Sequence, residues 1–131
     1  MNDGGEDSGS KHWPSEIRYI AAERRLEVAF DNGVTYSYPA EYLRVESPSA
    51  EVQGHGPGQK QIVAGRRHVG IMAIEPVGNY AVRIKFDDLH DSGLFSWTYL
   101  YELGEEQQQR WAAYLAALEE RGLSREPPKR H

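Results

Sequence analysis

The stretch RLEVAFDNGVTYSYP, Arg25–Pro39, decides the fold. Leu26, Val28 and Phe30 alternate with Arg25, Glu27 and Ala29, and Val34, Tyr36 and Tyr38 alternate beyond Asn32-Gly33. A period of two marks half-buried strands, and Asn-Gly tolerates the positive φ of a tight reversal, so the stretch predicts a hairpin with a two-residue turn. Pro39 ends the second strand because proline has no N–H for the ladder. EIRYIAA, Glu16–Ala22, alternates just upstream and is expected to pair with the hairpin, and AEYLR, Ala40–Arg44, reads as a short helical turn.

The second half repeats the theme. HVGIMAIEPVG alternates Val69, Ile71 and Ala73 until Pro76 and Gly78 break the pattern. NYAVRIKFDD then places Tyr80, Val82, Ile84 and Phe86 on one face, and LFSWTYLYEL follows after DLHDSG. VAFDNGVTYSYPAEYL and IKFDDLHDSGLFSWTYL share an order: strand, Phe-Asp, turn, aromatic strand, short Tyr-Leu helix. This is either an approximate internal repeat or two aromatic hairpins alike by chance. A final helix is predicted from Glu105 to about Arg121. Trp111, Tyr114, Leu115 and Leu118 form its apolar stripe, and Gly122 stands at the position where a left-handed residue closes a helix.

These elements give a small α+β domain: a twisted antiparallel sheet built from two aromatic hairpins, with short helical turns and a C-terminal helix packed on it. At 131 residues one domain is expected, placed at residues 13–122. Residues 1–12 and 123–131 read as flexible tails, having few apolar groups to offset ordering entropy.

Composition excludes several classes. The formal net charge is −5, and nucleic-acid binding ordinarily needs a basic field. There is no cysteine, so disulfides, thiolate metal sites and a cysteine nucleophile are out. No apolar run approaches the roughly 20 residues of a membrane span. The acidic, Gly/Ser-rich MNDGGEDSGSKH is unlike a signal peptide, and a cytoplasmic location is the expectation.

The segment SPSAEVQGHGPGQ, Ser47–Gln59, is the candidate interaction loop, with Ser47, Ser49, Gly54, His55, Gly56 and Gln59 as its candidate contact residues. Its glycines and prolines serve no strand pairing. GHGPGQK lacks the spacing of a phosphate-binding Walker loop, although its glycines beside Lys60, Arg66 and Arg67 could form an anion nest. No G-x-S-x-G elbow supports a serine nucleophile. Imidazoles and carboxylates that could hold zinc or iron are Glu51, His55, His68, His90, Asp87, Asp88 and Asp91.

FDNGVTYSYPAEYLRVESPSAEVQGHGPGQ, together with VGNYAVRIKFDDLHDSGLFSWTYLYELG, resembles the gamma-butyrobetaine hydroxylase-like N-terminal domain family over about Trp13–Leu118. In carnitine-pathway dioxygenases this small domain precedes the catalytic domain and holds a structural zinc by three cysteines and one histidine. The resemblance lays Ser47, Ser49 and Val52 on the cysteine positions and His90 on the histidine position. Hydroxyls are poor zinc ligands and Val52 is none, so a metal here would have to use Glu51 or His55 with His90. A copy without the catalytic domain is expected to be no dioxygenase. Similar domains are attached to Mrp-type scaffold ATPases of iron–sulfur cluster assembly. The resemblance therefore implies a non-catalytic accessory module linked to iron–sulfur or redox-metal metabolism. Its expected partner is such an ATPase or an oxygenase domain. A small metal-dependent oxidoreductase and a structural homodimerisation module are the alternatives.

Overall fold

The structure is a computed structural model describing residues 12–54, 60–91 and 93–128, with the side chains of Ala50 and Glu51 outside the described set. Residues 1–11 of the tail expected over 1–12, and His55, Gly56 and Gln59 of the candidate loop, lie outside the described residues. Among the described residues six strands and four α-helices, with a 3-10 turn at Ala21–Glu23, follow in the order β1 (Pro14–Ile20), β2 (Arg25–Phe30), β3 (Thr35–Pro39), α1 (Ala40–Val45), α2 (Ala50–Gln53), β4 (Ile71–Val77), β5 (Ala81–Phe86), β6 (Leu94–Ser96), α3 (Trp97–Glu105) and α4 (Gln107–Glu120). The strands make two three-stranded antiparallel sheets, β1-β2-β3 and β4-β5-β6, where the sequence suggested one. The α+β class and the aromatic hairpins stand as expected.

The two sheets are copies of one unit. Each edge strand carries its register shift at the same place, between Pro14 and Glu16 in β1 and between Ile71 and Ala73 in β4. Each turn after the central strand has the same bonds. Phe30 N–H donates to Val34 O at 2.8 Å and Gly33 N–H to Phe30 O at 3.0 Å; Phe86 N–H donates to His90 O at 2.9 Å and Leu89 N–H to Phe86 O at 3.0 Å. The Asn32 and Asp88 side chains each accept the N–H two residues on, at 3.1 Å. Each helix after the third strand is tied to the residue before the second, Ala40 N–H to Arg24 O and Trp97 N–H to Tyr80 O. Chance likeness does not reproduce a bulge, a turn and a helix start together, so the internal repeat is the correct reading.

The first turn is one residue longer than Asn-Gly suggested. Asp31, Asn32 and Gly33 form the loop, and Gly33 alone takes positive φ, 88°. This is the three-residue hairpin in which a left-handed residue follows a type I turn.

The helices pack the units reciprocally. Tyr42 Oη of α1 donates to Leu103 O of α3 at 2.7 Å, and Tyr99 Oη of α3 donates to Glu46 O just after α1 at 2.6 Å. Gly104 is needed here, because a β-carbon on it would run into the Tyr36 ring. One core spans both units, from Leu26, Val28 and Phe30 through Tyr42 and Leu43 to Ile84, Phe86, Phe95 and Leu100.

The expected aromatic strand is β6, and the short helix expected after it follows at once. The Ser96 hydroxyl accepts the Tyr99 N–H at 3.1 Å, and this cap turns Trp97–Glu105 into helix. The predicted C-terminal helix is α4, Gln107–Glu120, and Glu106 parts it from α3. β4 continues through Pro76, which an edge strand tolerates. Gly122 closes α4 at φ 66°, as expected. Residues 123–128, assigned to a tail by composition, run beside Gly65–Arg67, with Gly65 N–H donating to Ser124 O and Arg67 N–H to Arg125 O. No described helix is long and apolar enough to cross a membrane.

Candidate functional site

Every residue of α1 is buried, including Glu41 and Arg44, and Glu46 and Ser47 just beyond it are buried too. Charges buried on a short helix must find partners from elsewhere in the chain. Arg44 Nε donates to Asp88 Oδ2 at 2.8 Å, and Arg66 Nε donates to the same oxygen at 2.6 Å. Glu46 Oε1 accepts Lys60 Nζ at 2.7 Å and Arg110 Nη1 at 3.2 Å. Burial opposes charge on Asp88. The hydrogen bond from Arg44, the His90 N–H, the Arg44 charge and the bond from Arg66 outweigh it and hold the carboxyl below its ordinary value.

Between these pairs lies the junction of the candidate loop with the second unit. Ser47 Oγ lies 3.0 Å and Ser49 Oγ 3.3 Å from His90 Nε2, and the two hydroxyls are 3.5 Å apart. The tautomer of the ring sets which partner donates. Ser47 is fully buried, Ser49 6% exposed and His90 8% exposed. His90 is held from behind, since its N–H donates to Asp88 Oδ1 and its carbonyl accepts the Phe86 N–H. Gly93 lets the chains approach, because a β-carbon there would strike Ser47 Oγ.

The same junction closes the loop's neck. Val52 N–H and Gln53 N–H donate to Ser49 O, and Gln53 Nε2 donates to Ser47 O at 2.8 Å. Gln61 N–H donates to Val52 O at 2.6 Å, so Val52 and Gln61 lie side by side at the neck. Beside it, a cleft of about 260 Å³ is lined by Glu46, Lys60, Ile62, Arg110, Tyr114 and their neighbours.

Of the sequence-derived site residues, Ser47, Ser49 and His90 come together. Gly54 sits at the loop's start with φ 75°. Glu51 belongs to α2, its side chain outside the described set, and His55, Gly56 and Gln59 are likewise outside it. His68 lies apart, 3.9 Å from Glu126. Sequence reasoning did not find the Arg44–Asp88–Arg66 and Glu46–Lys60–Arg110 groups. Their only signal was three charged residues within the short apolar stretch AEYLRVE.

A serine hydroxyl 3.0 Å from an imidazole is the spacing of an activated nucleophile. Here both side chains are buried, and the contact joins two chain segments. Nor do these residues fit zinc. Val52 offers no donor, hydroxyls are poor zinc ligands, and both hydroxyls already engage His90 Nε2. No group of three or more histidine or acidic side chains that could hold a metal occurs among the described residues.

Fold and junction define a small α+β domain made of two copies of a strand–strand–strand–helix unit, with its buried polar groups at the seam between them. The family model described as gamma-butyrobetaine hydroxylase-like, N-terminal, matches residues 17–101, and the chain belongs to that family. Two proteins solved by solution NMR are similar. One is 47% identical with a TM-score of 0.78, covering 91% of this chain and 94% of its own; the other is 43% identical at 0.79, covering 98% and 99%. A crystal structure of a protein of unknown function in the DUF971 family, from Acidithiobacillus ferrooxidans, is 41% identical with a TM-score of 0.59, covering 70% of this chain and 91% of its own. None of the curated proteins matches the chain significantly.

Proposed function

We propose that the chain is a non-catalytic binding module whose Ser47–Gln59 segment docks a partner protein. The observation that carries this reading is the closed neck. The Ser47–His90 and Ser49–His90 contacts, the Gln53–Ser47 bond and the Gln61–Val52 bond fix the loop's base to the second sheet. A loop rooted on a rigid scaffold can present glycine-rich backbone without ordering its base on binding, which lowers the cost of association. Family resemblance supports an Mrp-type scaffold ATPase as the partner, ahead of an oxygenase domain, and iron–sulfur or redox-metal metabolism as the setting. The test is titration of the host's Mrp-type ATPase into this chain and into a variant with residues 54–59 replaced by glycine and serine. Binding by the first and at least tenfold weaker binding by the second is expected. Equal binding, or none by either, overturns the reading.

Metal is not needed for this function. Titration with zinc and ferrous iron is expected to leave the His90 ring resonances in place, because the two serine hydroxyls occupy its Nε2. Movement of that ring with either metal, alone or together with His55, would restore a metal centre to the account.

A further inference from the structure

A second constellation involves the opposite end of the chain. Glu41 is 5% exposed, and its carboxylate receives two arms of Arg125, Nε to Oε2 at 2.9 Å and Nη2 to Oε1 at 2.7 Å. The Trp111 ring covers the guanidinium, 5.2 Å from its carbon. The main chain beside Arg125 is held by two hydrogen bonds, Gly65 N–H to Ser124 O at 2.9 Å and Arg67 N–H to Arg125 O at 3.0 Å. At the rim, Arg67 Nη1 donates to Glu126 Oε2 at 2.6 Å.

These contacts have the anatomy of a bound peptide. Leu123, Ser124, Glu126, Pro127 and Pro128 are all exposed, and Arg125 alone is turned inward. Among the described residues no apolar side chain of the segment joins the core, and the segment is held by the Arg125 anchor, two backbone bonds and the Glu126 carboxylate, which lies 2.6 Å from Arg67 Nη1 and 3.9 Å from His68 Nε2. The anchor is specific. A planar guanidinium matches a carboxylate by two parallel bonds and stacks on an indole, and an ammonium does neither as well. Glu41, buried as it is, requires a cation in that place. The segment joins α4 through Gly122, where φ is +66° and a β-carbon would meet nothing within 4 Å, so the joint is unobstructed.

The geometry points to a receptor, built from Glu41, Trp111 and the Gly65–Arg67 main chain, for a short segment of another protein that carries arginine followed by an acidic residue. The chain's own Ser124–Pro128 fills this receptor in the free protein and competes with that segment. Charge order sets the polarity of the ligand: Glu41 reads the arginine and Arg67 the acid one residue on. Tethering gives the tail an effective concentration on the order of millimolar, so a displacing partner needs contacts beyond the pocket.

The probe is the peptide acetyl-Ser-Arg-Glu-Pro-Pro-amide, added to the full-length chain and to its Arg125→Ala variant while the Trp111 indole N–H resonance is followed. Arg125→Ala, its own anchor removed, is expected to bind the peptide at least tenfold more tightly than wild type. Adding Glu41→Gln, or changing the peptide's arginine to lysine, should lose most of that binding. A folded Arg125→Ala variant that leaves Trp111 unmoved at millimolar peptide overturns the proposal and makes Arg125 a structural staple. Should that variant not fold, wild type decides. Excess peptide must then release the Arg125 guanidinium into rapid solvent exchange, and its failure to do so overturns the proposal equally. Wild-type dimers that Arg125→Ala abolishes would assign the pocket to a second copy of this chain and overturn the assignment to another protein.

Discussion

Replacing Asp88 by asparagine removes the charge on which the second turn rests. Asp88 Oδ2 receives Arg44 Nε at 2.8 Å and Arg66 Nε at 2.6 Å, and Oδ1 receives the His90 N–H. The Arg44 side chain is 9% exposed, and its Nη1 is buried with no hydrogen-bond partner among the described residues. Asparagine keeps the shape and an acceptor but leaves Arg44 without its counter-charge. Breaking a buried pair costs about 3–5 kcal/mol. The Arg66 arm is a third exposed and adds little, as surface pairs do. Asp88 is itself a fifth exposed, so the lower end applies, about 3 kcal/mol at neutral pH. At about 4 °C per kcal/mol for a domain of this size, the melting temperature should fall by about 12 °C. The pH dependence supplies a second reading. The folded pKa of Asp88 lies below its ordinary 3.8, so its contribution is complete above that value and is lost as pH falls through the lower folded value. The gap between wild type and Asp88→Asn should therefore narrow below about pH 4. Urea unfolding at pH 7 and across the acid range measures both. A cost below 0.5 kcal/mol, or a gap that stays constant into acid, would refute the reasoning. Asp88→Asn combined with Arg44→Met should cost less than the sum of the single changes, since neither charge then stays behind.

Gly104→Ala should destabilise by about 2 kcal/mol in urea unfolding, although glycine to alanine within a helix ordinarily gains up to about 1 kcal/mol, because the new β-carbon meets the Tyr36 ring. A gain would place Tyr36 elsewhere. Leu89 takes φ 74° with 81% of its surface exposed, so Leu89→Gly should stabilise by about 1 kcal/mol in the same measurement, and a loss would show that the leucine side chain has a packing role. Burial, aided by the charges of Glu46 and Glu41 respectively, pushes the Tyr99 and Tyr114 hydroxyls up to about 12. A raised folded pKa gives stability that is complete below the ordinary value of 10 and lost on the way to about 12. Tyrosinate absorbance should therefore rise together with loss of secondary structure across that window, and two tyrosines ionising freely near pH 10 more than expected would contradict it.

The sequence showed the hairpin at Arg25–Pro39 and the duplicate order of elements because both rest on local alternation and turn chemistry. The short Tyr-Leu helix after the aromatic strand was legible as well; its start at Trp97 was not, because Trp97 and Tyr99 have strand propensity that the Ser96 cap overrides. Division into two sheets depends on which strands are neighbours, and alternation carries no such information. At the site, the family resemblance put Ser47, Ser49 and His90 on the positions that the fold brings together. The ion pairs of Arg44 and Glu46 were hidden because their partners lie 44 and 64 residues away. Arg125 looked like part of a charged tail because only the fold puts Glu41 and Trp111 beside it.

The central claim is that the loop rooted at Ser47 and His90 is the docking surface. Its most direct test is an NMR map of the labelled chain as the host's Mrp-type scaffold ATPase is added. The account predicts that the largest amide shifts fall on Ser47–Gln61 and on the Phe86–Gly93 turn. Shifts confined to the Glu41–Trp111 side, or a spectrum unchanged at saturating partner, would contradict it.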